Sequence, residues 1–301
     1  MNEVLTINAV QQKAGTNDKP VAPSTGNQRP SVPVVGLGAS AGGLDAYKRF
    51  FSAMPSNSGL AFVLVQHLDP KHSSMTAQLL GKHTLMPVEQ VEHATAVQAN
   101  HVYVIPPNKD LLLVNGCLLL NALPPRQGPH LPVDLFLRSL AQDQGEQAQA
   151  IILSGTGSDG TLGVAAIKAG GGLVLVQTPE TAQFDGMPRS AIQTDLVDCV
   201  ADVEALPELL IHYQAQLQGL AMSDAHKTVP DDQLDLLINA VRMRTKYDFR
   251  FYKKGTLLRR IHRRMGLNHL SDIKEYVHLV QTDEGEAKRL FKDLLISVTG
   301  F

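Results

Sequence analysis

The sequence predicts an α/β protein, with a doubly wound, mainly parallel sheet followed by a small all-α domain. Three apolar runs end in turn-forming residues, as strands buried on both faces of a parallel sheet do. From residue 231 to residue 301 apolar residues recur at helical spacing, without strand alternation. An Asn115-Gly116 turn between leucine-rich runs adds an antiparallel hairpin. The three apolar runs lie at residues 34–39, 60–66 and 150–153.

The first apolar run leads into Ser40, which stands between Gly38 and Gly42. A serine at a strand-to-helix turn projects away from its own backbone, a position typical of a nucleophile. The amides of Ala41, Gly42 and Gly43 begin the predicted helix, so we expect them to be free to donate to an oxyanion. Taken alone, Ser40 fits a helix N-cap equally well.

The other two runs are followed by a base and an acid, His67 and Asp159. The carboxyl ends of parallel strands meet at one edge of a sheet, so Ser40, His67 and Asp159 are predicted to share that edge. A serine nucleophile needs such a base and a group that orients it. Each residue also has a plain structural interpretation. His67 is one of eleven histidines, and Asp159 can cap the helix that starts near Thr161.

The glycines of the first turn superficially resemble a dinucleotide fingerprint. That motif needs glycine at its first, third and sixth positions. Gly36 and Gly38 occupy the first and third positions, but the sixth position is Ala41. The second strand also ends in His67, where an acid would meet the ribose. Nucleotide binding therefore stays open only as a minor alternative.

Five motifs follow one another in the order seen in CheB chemotaxis receptor methylesterases, and the sequence resembles that family over about residues 32–213. The motifs are Gly-Ala-Ser-Ala-Gly-Gly at 38–43, Val-Gln-His at 65–67, Val-Tyr-Val-Ile-Pro-Pro at 102–107, Ser-Gly-Thr-Gly-Ser-Asp-Gly at 154–160 and Gly-Met-Pro-Arg at 186–189. The resemblance implies a catalytic triad and no cofactor. It assigns catalysis to Ser40, His67 and Asp159, and the oxyanion and substrate contacts to Ala41, Gly42, Thr156 and Met187.

The resemblance implies a protein-glutamate methylesterase that hydrolyses glutamyl methyl esters on the helices of chemoreceptor-like proteins. It also allows deamidation of receptor glutamine as a second activity. Members of the family commonly carry Thr and Met where this sequence has Ala41 and Thr156. An oxyanion hole built from backbone amides survives both changes, but substrate fit need not. A second hypothesis therefore stays open, a non-catalytic receptor-docking module with a decayed triad.

A basic segment marks the predicted C-terminal domain. Between Arg242 and Arg264 there are ten Lys or Arg and one acid, a local net charge of +9 in a chain whose net charge is −2. A basic helix can neutralise phosphates, but no DNA-binding motif accompanies this one, so we expect no nucleic-acid partner. A solvated helix face explains the charge equally well.

The C-terminal segment is similar to the N-terminal helical domain of CheR receptor methyltransferases, at residues 247–254, 257–265 and 294–301. In that family the domain lies against acidic receptor helices, and a basic face suits such a surface. The sequence ends where the family's S-adenosylmethionine-binding domain begins, so we expect no methyltransferase activity from these residues. The expected partners are methylated chemoreceptor-like helices.

The predicted organisation is a disordered segment at 1–31, a methylesterase domain at 32–218, a linker at 219–230 and a helical domain at 231–301. The first segment is polar and too short for a core, so control by a fused receiver domain is not expected. The loop from Pro124 to Pro132 carries Arg126 and His130, which can border the substrate.

Composition is ordinary for a soluble globular protein, with 44% hydrophobic and 19% charged residues. No run approaches the roughly 20 apolar residues of a membrane helix, and the N-terminus lacks the pattern of a signal peptide. Cys117 and Cys199 are expected to be buried thiols in a reducing compartment. No residue cluster has metal-ligand spacing. We therefore expect a cytoplasmic protein without membrane insertion or a metal.

Overall fold

The structure, a computed structural model, describes residues 32–66, 75–122, 130–223, 229–268 and 270–296. The predicted disordered segment at 1–31 lies outside the described residues. So do His67 and Arg126.

The main sheet confirms the predicted parallel architecture. Within the described residues seven strands pair in the order β10-β9-β8-β1-β2-β5-β3, every pair parallel. The strands are β1 Val34–Ala39, β2 Ala61–Gln66, β3 Val88–Gln90, β4 Thr95–Ala96, β5 His101–Val104, β6 Lys109–Val114, β7 Cys117–Ala122, β8 Gln149–Ile152, β9 Leu173–Gln177 and β10 Cys199–Ala201. The strands predicted from the three apolar runs are therefore the adjacent strands β8, β1 and β2.

Helices cover both faces of this sheet because successive strand residues point to opposite sides. Val34 packs in one core with α3, α4 and α5, whereas Val35 packs in the other with α1, α2 and α6. The helices are α1 Gly43–Ala53, α2 Thr76–Leu80, α3 Pro132–Gln144, α4 Thr161–Ala169, α5 Gly186–Gln193, α6 Leu206–Ser223, α7 Asp231–Thr245, α8 Lys254–Leu267, α9 Ile273–Thr282 and α10 Glu284–Ile296. The fold is doubly wound, as predicted.

The predicted hairpin is present as β6 and β7, which form a small antiparallel sheet with β4. Its turn residues Asn115 and Gly116 have φ values of 52° and 72°, the left-handed conformation that these residue types tolerate in a two-residue hairpin turn. Cys117 at the start of β7 and Cys199 at the start of β10 are free thiols. Both are half-buried rather than fully buried.

The C-terminal part is helical, as predicted, and has its own apolar core. Helices α7, α8, α9 and α10 bury Val241, Ile261, Tyr276 and Leu290 against one another. Helix α6 extends to Ser223, which lies inside the segment predicted as a linker.

Helix α8 binds the amino edge of the main sheet through Arg263, whose side chain is only 4% exposed. Its Nη1 donates to the carbonyl oxygen of Gly171 at 3.0 Å, and its Nη2 donates to Asp198 Oδ2 at 2.7 Å. Gly171 lies just before β9 and Asp198 just before β10. The described residues from 32 to 296 belong to one compact unit, and this contact joins its sheet to its helical part.

Further buried ion pairs surround this contact. Lys168 of α4 pairs with Asp293 of α10 at 2.6 Å, and Arg264 pairs with Glu286 at 2.5 Å. Burial acts to raise the pKa of the Asp293 carboxyl, but the charges of Arg263, Lys168 and Arg264 outweigh it and lower that pKa to about 2.

The solvated-face interpretation of the basic segment is wrong for Arg260, Arg263 and Arg264, which are buried. Arg260 Nη1 also donates to the carbonyl oxygen of Gly171, at 3.2 Å. These charges are buried because acidic side chains and backbone carbonyls from other elements surround them. The exposed basic residues of the segment are Arg242, Arg244, Lys246, Arg250, Lys253, Lys254 and Arg259.

Candidate active site

The carboxyl ends of β1 and β8 bring the Ser40 turn against the loop that contains Asp159. Leu153 N donates to the Gly38 carbonyl oxygen at 2.9 Å, and Ser40 N donates to the Ser154 carbonyl oxygen at 3.0 Å. Strand β2 lies on the other side of β1 and ends at Gln66. His67 follows directly, outside the described residues, so its position in a triad stays a prediction.

The turn at Ser40 is held by backbone and amide hydrogen bonds. Ser40 itself is half-buried. The Ser40 carbonyl oxygen accepts from Gly43 N at 3.0 Å and from Gln66 Nε2 at 3.2 Å. The expectation that the Gly43 amide is free is therefore wrong, because it closes the turn.

The amides of Ala41 and Gly42 differ from that of Gly43. Among the described residues, neither amide donates a hydrogen bond to a protein acceptor. Gly42 is the N-cap of α1 with φ +74°, so these amides sit at the positive end of a helix. Such amides can bind developing negative charge.

Asp159 is buried and caps helix α3. Its Oδ2 accepts from Val133 N at 3.0 Å and its Oδ1 from Asp134 N at 2.9 Å, in the first turn of α3. Gly160 is the N-cap residue of α4, with φ +99°. No local sequence pattern indicates this contact, because Val133 lies 26 residues earlier.

Asp134 is a second buried acid beside Asp159 that sequence reasoning missed. Its Oδ1 accepts from Gly163 N at 2.8 Å. Burial raises the pKa of the Asp134 carboxyl, and the nearby charge of Asp159 adds to the increase. An acid in the first turn of a predicted helix was the available signal, but that pattern is common on exposed helices too.

His130 lies just before α3 and pairs with an acid that the sequence reading also missed. Its Nε2 is 2.7 Å from Oδ1 of Asp110, which is buried in β6. Val133, three residues later, would touch any side chain placed at Gly38. His130 therefore lies three residues before the part of α3 that packs against the end of β1. An acid beside a leucine-rich run was the pair's only sequence signal.

The remaining predicted site residues differ in exposure. Thr156 is exposed on the loop after β8. The Met187 side chain is buried and packs against that loop. A methyl group placed at Gly155 would lie only 2.2 Å from the Met187 Sδ. The Met187 amide donates to the Gly155 carbonyl oxygen at 2.9 Å. Met187 therefore packs against the loop that carries Thr156, next to Gly155.

The fold and this edge define a parallel α/β protein with a hydrolase-type serine turn at the start of a helix. A family model described as CheB methylesterase matches residues 35–210. The chain belongs to the CheB methylesterase family. A second model, described as CheR methyltransferase, all-alpha domain, matches residues 232–295.

Individual relatives agree with this assignment. An uncharacterised 104.1 kDa protein of Rhodobacter capsulatus is 36% identical over 75% of this chain and 26% of its own length. A protein-glutamate methylesterase/protein-glutamine glutaminase of Pyrococcus abyssi is 30% identical over 67% of this chain and 57% of its own. The chain thus spans about a quarter of the first relative and just over half of the second.

The fold is also similar to a solved structure. The crystal structure of the Thermotoga maritima CheB methylesterase catalytic domain aligns with a TM-score of 0.56 and 31% identity. It covers 60% of this chain and 98% of that domain. The predicted fold class and family are therefore confirmed.

Among the described helices, we find none whose length and apolar character together suit a bilayer crossing. Within the same part of the chain, no three His, Cys, Asp or Glu side chains are grouped so that they can hold a metal ion. The cytoplasmic location stays a prediction.

Proposed function

We propose that this chain is a protein-glutamate methylesterase that hydrolyses glutamyl methyl esters on chemoreceptor-like helices. The observation that carries the proposal is the pair of amides at Ala41 and Gly42, beside the half-buried Ser40. Two adjacent amide donors at the start of a helix suit an oxyanion that forms during acyl transfer. Relatives named protein-glutamate methylesterase support the choice of ester.

In the proposed mechanism His67 takes the proton from Ser40 as the serine oxygen attacks the ester carbonyl. The Ala41 and Gly42 amides bind the resulting oxyanion, and Asp159 orients His67. His67 then gives its proton to the departing methoxide, which leaves as methanol. Water, activated by His67, cleaves the acyl-enzyme and leaves a free glutamate side chain on the substrate.

Deamidation of glutamine can use the same steps. The acyl-enzyme is identical, and ammonia leaves in place of methanol. An amide is less reactive than an ester, so we expect this second activity to be the slower one. Thr156, exposed beside the serine turn, is proposed to contact the substrate in both reactions.

We also propose that hydrolysis is confined to the first of two domains, as the sequence suggests. Residues 32–218 would carry hydrolysis and residues 231–301 would form the helical domain. The predicted linker at 219–230 would begin only after Ser223, where α6 ends. The chemoreceptor-like partner is proposed from the family, since the chain spans only part of its first relatives.

Non-additivity of triad substitutions tests the mechanism. Residues that act as one unit cost little more when removed together than when removed singly. We expect Ser40→Ala, His67→Ala and the double variant each to slow methanol release from a methylated receptor by roughly 10³-fold or more. Losses that multiply in the double variant would show independent roles and would contradict the triad.

The competing hypothesis is a non-catalytic docking module. It predicts receptor binding without methanol release, and binding that is unaffected by Ser40→Ala. A receptor pull-down run beside the rate measurement separates the two functions, because the esterase proposal requires release by the wild-type chain.

A further inference from the structure

An open groove of about 540 Å³ lies beside the Ser40 turn. Thr156 and Gly157 line one side, and the segment from Pro179 to Arg189, which includes Phe184, lines the other. We propose that Phe184 binds an apolar side chain of the substrate helix, one turn from the methyl-esterified glutamate. The inference rests on the proposed esterase function and adds a determinant of its protein substrate.

The backbone of Phe184 is fixed to the serine turn. Its amide donates to Ser154 Oγ at 3.0 Å, and its carbonyl oxygen accepts from Gly155 N at 2.9 Å. The same Ser154 hydroxyl donates to the Ala41 carbonyl oxygen at 2.9 Å. One serine side chain therefore links the groove wall to the candidate oxyanion site, so the wall and the nucleophile keep a constant relative position.

Packing brings this wall directly against the turn. A methyl group at Gly42 would lie 2.9 Å from the Cβ of Gln183, the residue before Phe184. A methyl group at Gly155 would lie 3.0 Å from Ser40 N. The groove thus begins next to the nucleophile. Side chains three or four residues apart on a helix have Cβ atoms only about 5–6 Å apart, so a substrate helix can reach both places together.

The Phe184 side chain offers an apolar surface to that helix. It is 41% exposed although its backbone is anchored by two hydrogen bonds. A rigid aromatic side chain gains contact area on binding at little cost in conformational entropy. Fixed, partly exposed aromatic residues at the edge of a site are typical binding anchors.

The charges around the groove disfavour an acidic occupant near Phe184. Arg189 is the cation of the lining, and its Nε lies 2.6 Å from Asp185 Oδ2. Its Nη2 lies 3.5 Å from Glu180 Oε1. Two carboxylates against one guanidinium leave these three groups with a net negative charge, which disfavours an acidic side chain of the substrate. An aliphatic side chain beside the neutral methyl ester avoids this repulsion and can pack on the exposed Phe184 ring.

The test compares two substrates, a methylated receptor and p-nitrophenyl acetate, which is too small to fill the groove and the serine site together. We expect Phe184→Ala to lower the ratio of kcat/KM for receptor to kcat/KM for the small ester about tenfold. Phe184→Leu keeps an apolar side chain and should restore most of that ratio. Val200→Ala is the matched control, because Val200 is also 41% exposed but lies on edge strand β10, outside the groove lining.

Each result has one meaning. A lowered ratio that Phe184→Leu restores supports the contact. An unchanged ratio in Phe184→Ala overturns it, as does an equal loss with both substrates, which would mark a structural role for the loop. A wild-type chain that cleaves the small ester but releases no methanol from the receptor would refute the proposed function itself, and the Phe184 contact with it.

Discussion

At the scale of single residues, Gly42 meets two requirements of the serine turn at once. Its φ of +74° lies in the left-handed region that side chains disfavour. A Cβ there would also lie 2.6 Å from Ser154 Oγ, in the side chain that links the turn to the groove wall. The glycine therefore serves both the backbone and the packing of the site.

Substitution of Gly42 should affect both stability and activity. Gly59 has a similar φ of +77° but no atom within 4 Å of its Cβ position, so Gly59→Ala measures the backbone cost alone. We expect Gly59→Ala to lower the free energy of unfolding by about 1 kcal/mol with activity kept. Gly42→Ala should cost more and slow ester hydrolysis at least tenfold. Urea unfolding and rates measured on folded protein check this, and equal effects of the two variants would contradict it.

Asp159 has a structural role that is separate from its proposed catalytic one. Because its carboxylate accepts from Val133 N and Asp134 N, Asp159→Ala removes the cap of α3. We expect the free energy of unfolding to fall by about 1–2 kcal/mol. The exposed Asp235 of α7 provides the control, since Asp235→Ala should change stability by less than about 0.5 kcal/mol. Urea denaturation that gives the same midpoint for Asp159→Ala and wild type would argue against the cap.

At the scale of elements, α8 shows where sequence reasoning stops. One helix face carries three arginines, because Arg263 and Arg264 follow Arg260 by three and four residues. The sequence marks that face as basic, which usually means exposed. Its partners, Gly171 and Asp198, lie 92 and 65 residues from Arg263 in the chain. No local pattern carries that pairing.

Arg263 should therefore matter for stability more than its neighbour Arg259. Arg263→Leu leaves Asp198 buried with fewer partners, and breaking a buried pair typically costs about 3–5 kcal/mol. Arg259 is exposed and bridges Glu146, so Arg259→Ala should cost less than about 1 kcal/mol. Chemical denaturation of both variants checks this. A loss for Arg263→Leu no larger than that for Arg259→Ala would mean that α8 is not anchored to the sheet as described.

Other elements were predictable for clear physical reasons. The strands were found because both faces of a parallel sheet are buried, which makes each strand a continuous apolar run. The hairpin followed from its Asn115-Gly116 turn. Ser40 and the loop of Asp159 were placed at one edge because the ends of parallel strands meet there. Asp110 and Asp134 were missed because their partners come from distant segments.

At the scale of the whole molecule, the two edges of the sheet have different partners. The serine turn occupies the carboxyl edge, and the helical part binds the amino edge through Arg263. The buried arginines are therefore part of the internal structure, and only the exposed basic residues are open to the proposed receptor partner. Helix α8 lies at the opposite edge of the sheet from the serine turn.

The ion pairs between these parts should make stability depend on acid pH. Asp293 has a pKa of about 2 in the folded chain against a usual value of 3.8, so its charged form stabilises the fold above about pH 4. That contribution, about 2 kcal/mol at most, is lost as the pH falls from 4 to 2. Wild type should exceed Asp293→Asn in the free energy of unfolding at pH 7, and the gap should narrow across that window. A constant gap would contradict the assigned pKa.

Ser40 is the proposed nucleophile for hydrolysis of glutamyl methyl esters. The most direct measurement is the initial rate of methanol release from methylated receptor membranes, at equal concentrations of folded wild type, Ser40→Ala and Ser52→Ala. Ser52 is an exposed serine of α1 and controls for loss of a hydroxyl. We predict release by wild type and Ser52→Ala and a loss of roughly 10³-fold or more in Ser40→Ala. Undiminished release by Ser40→Ala would contradict the proposed role of Ser40 as nucleophile.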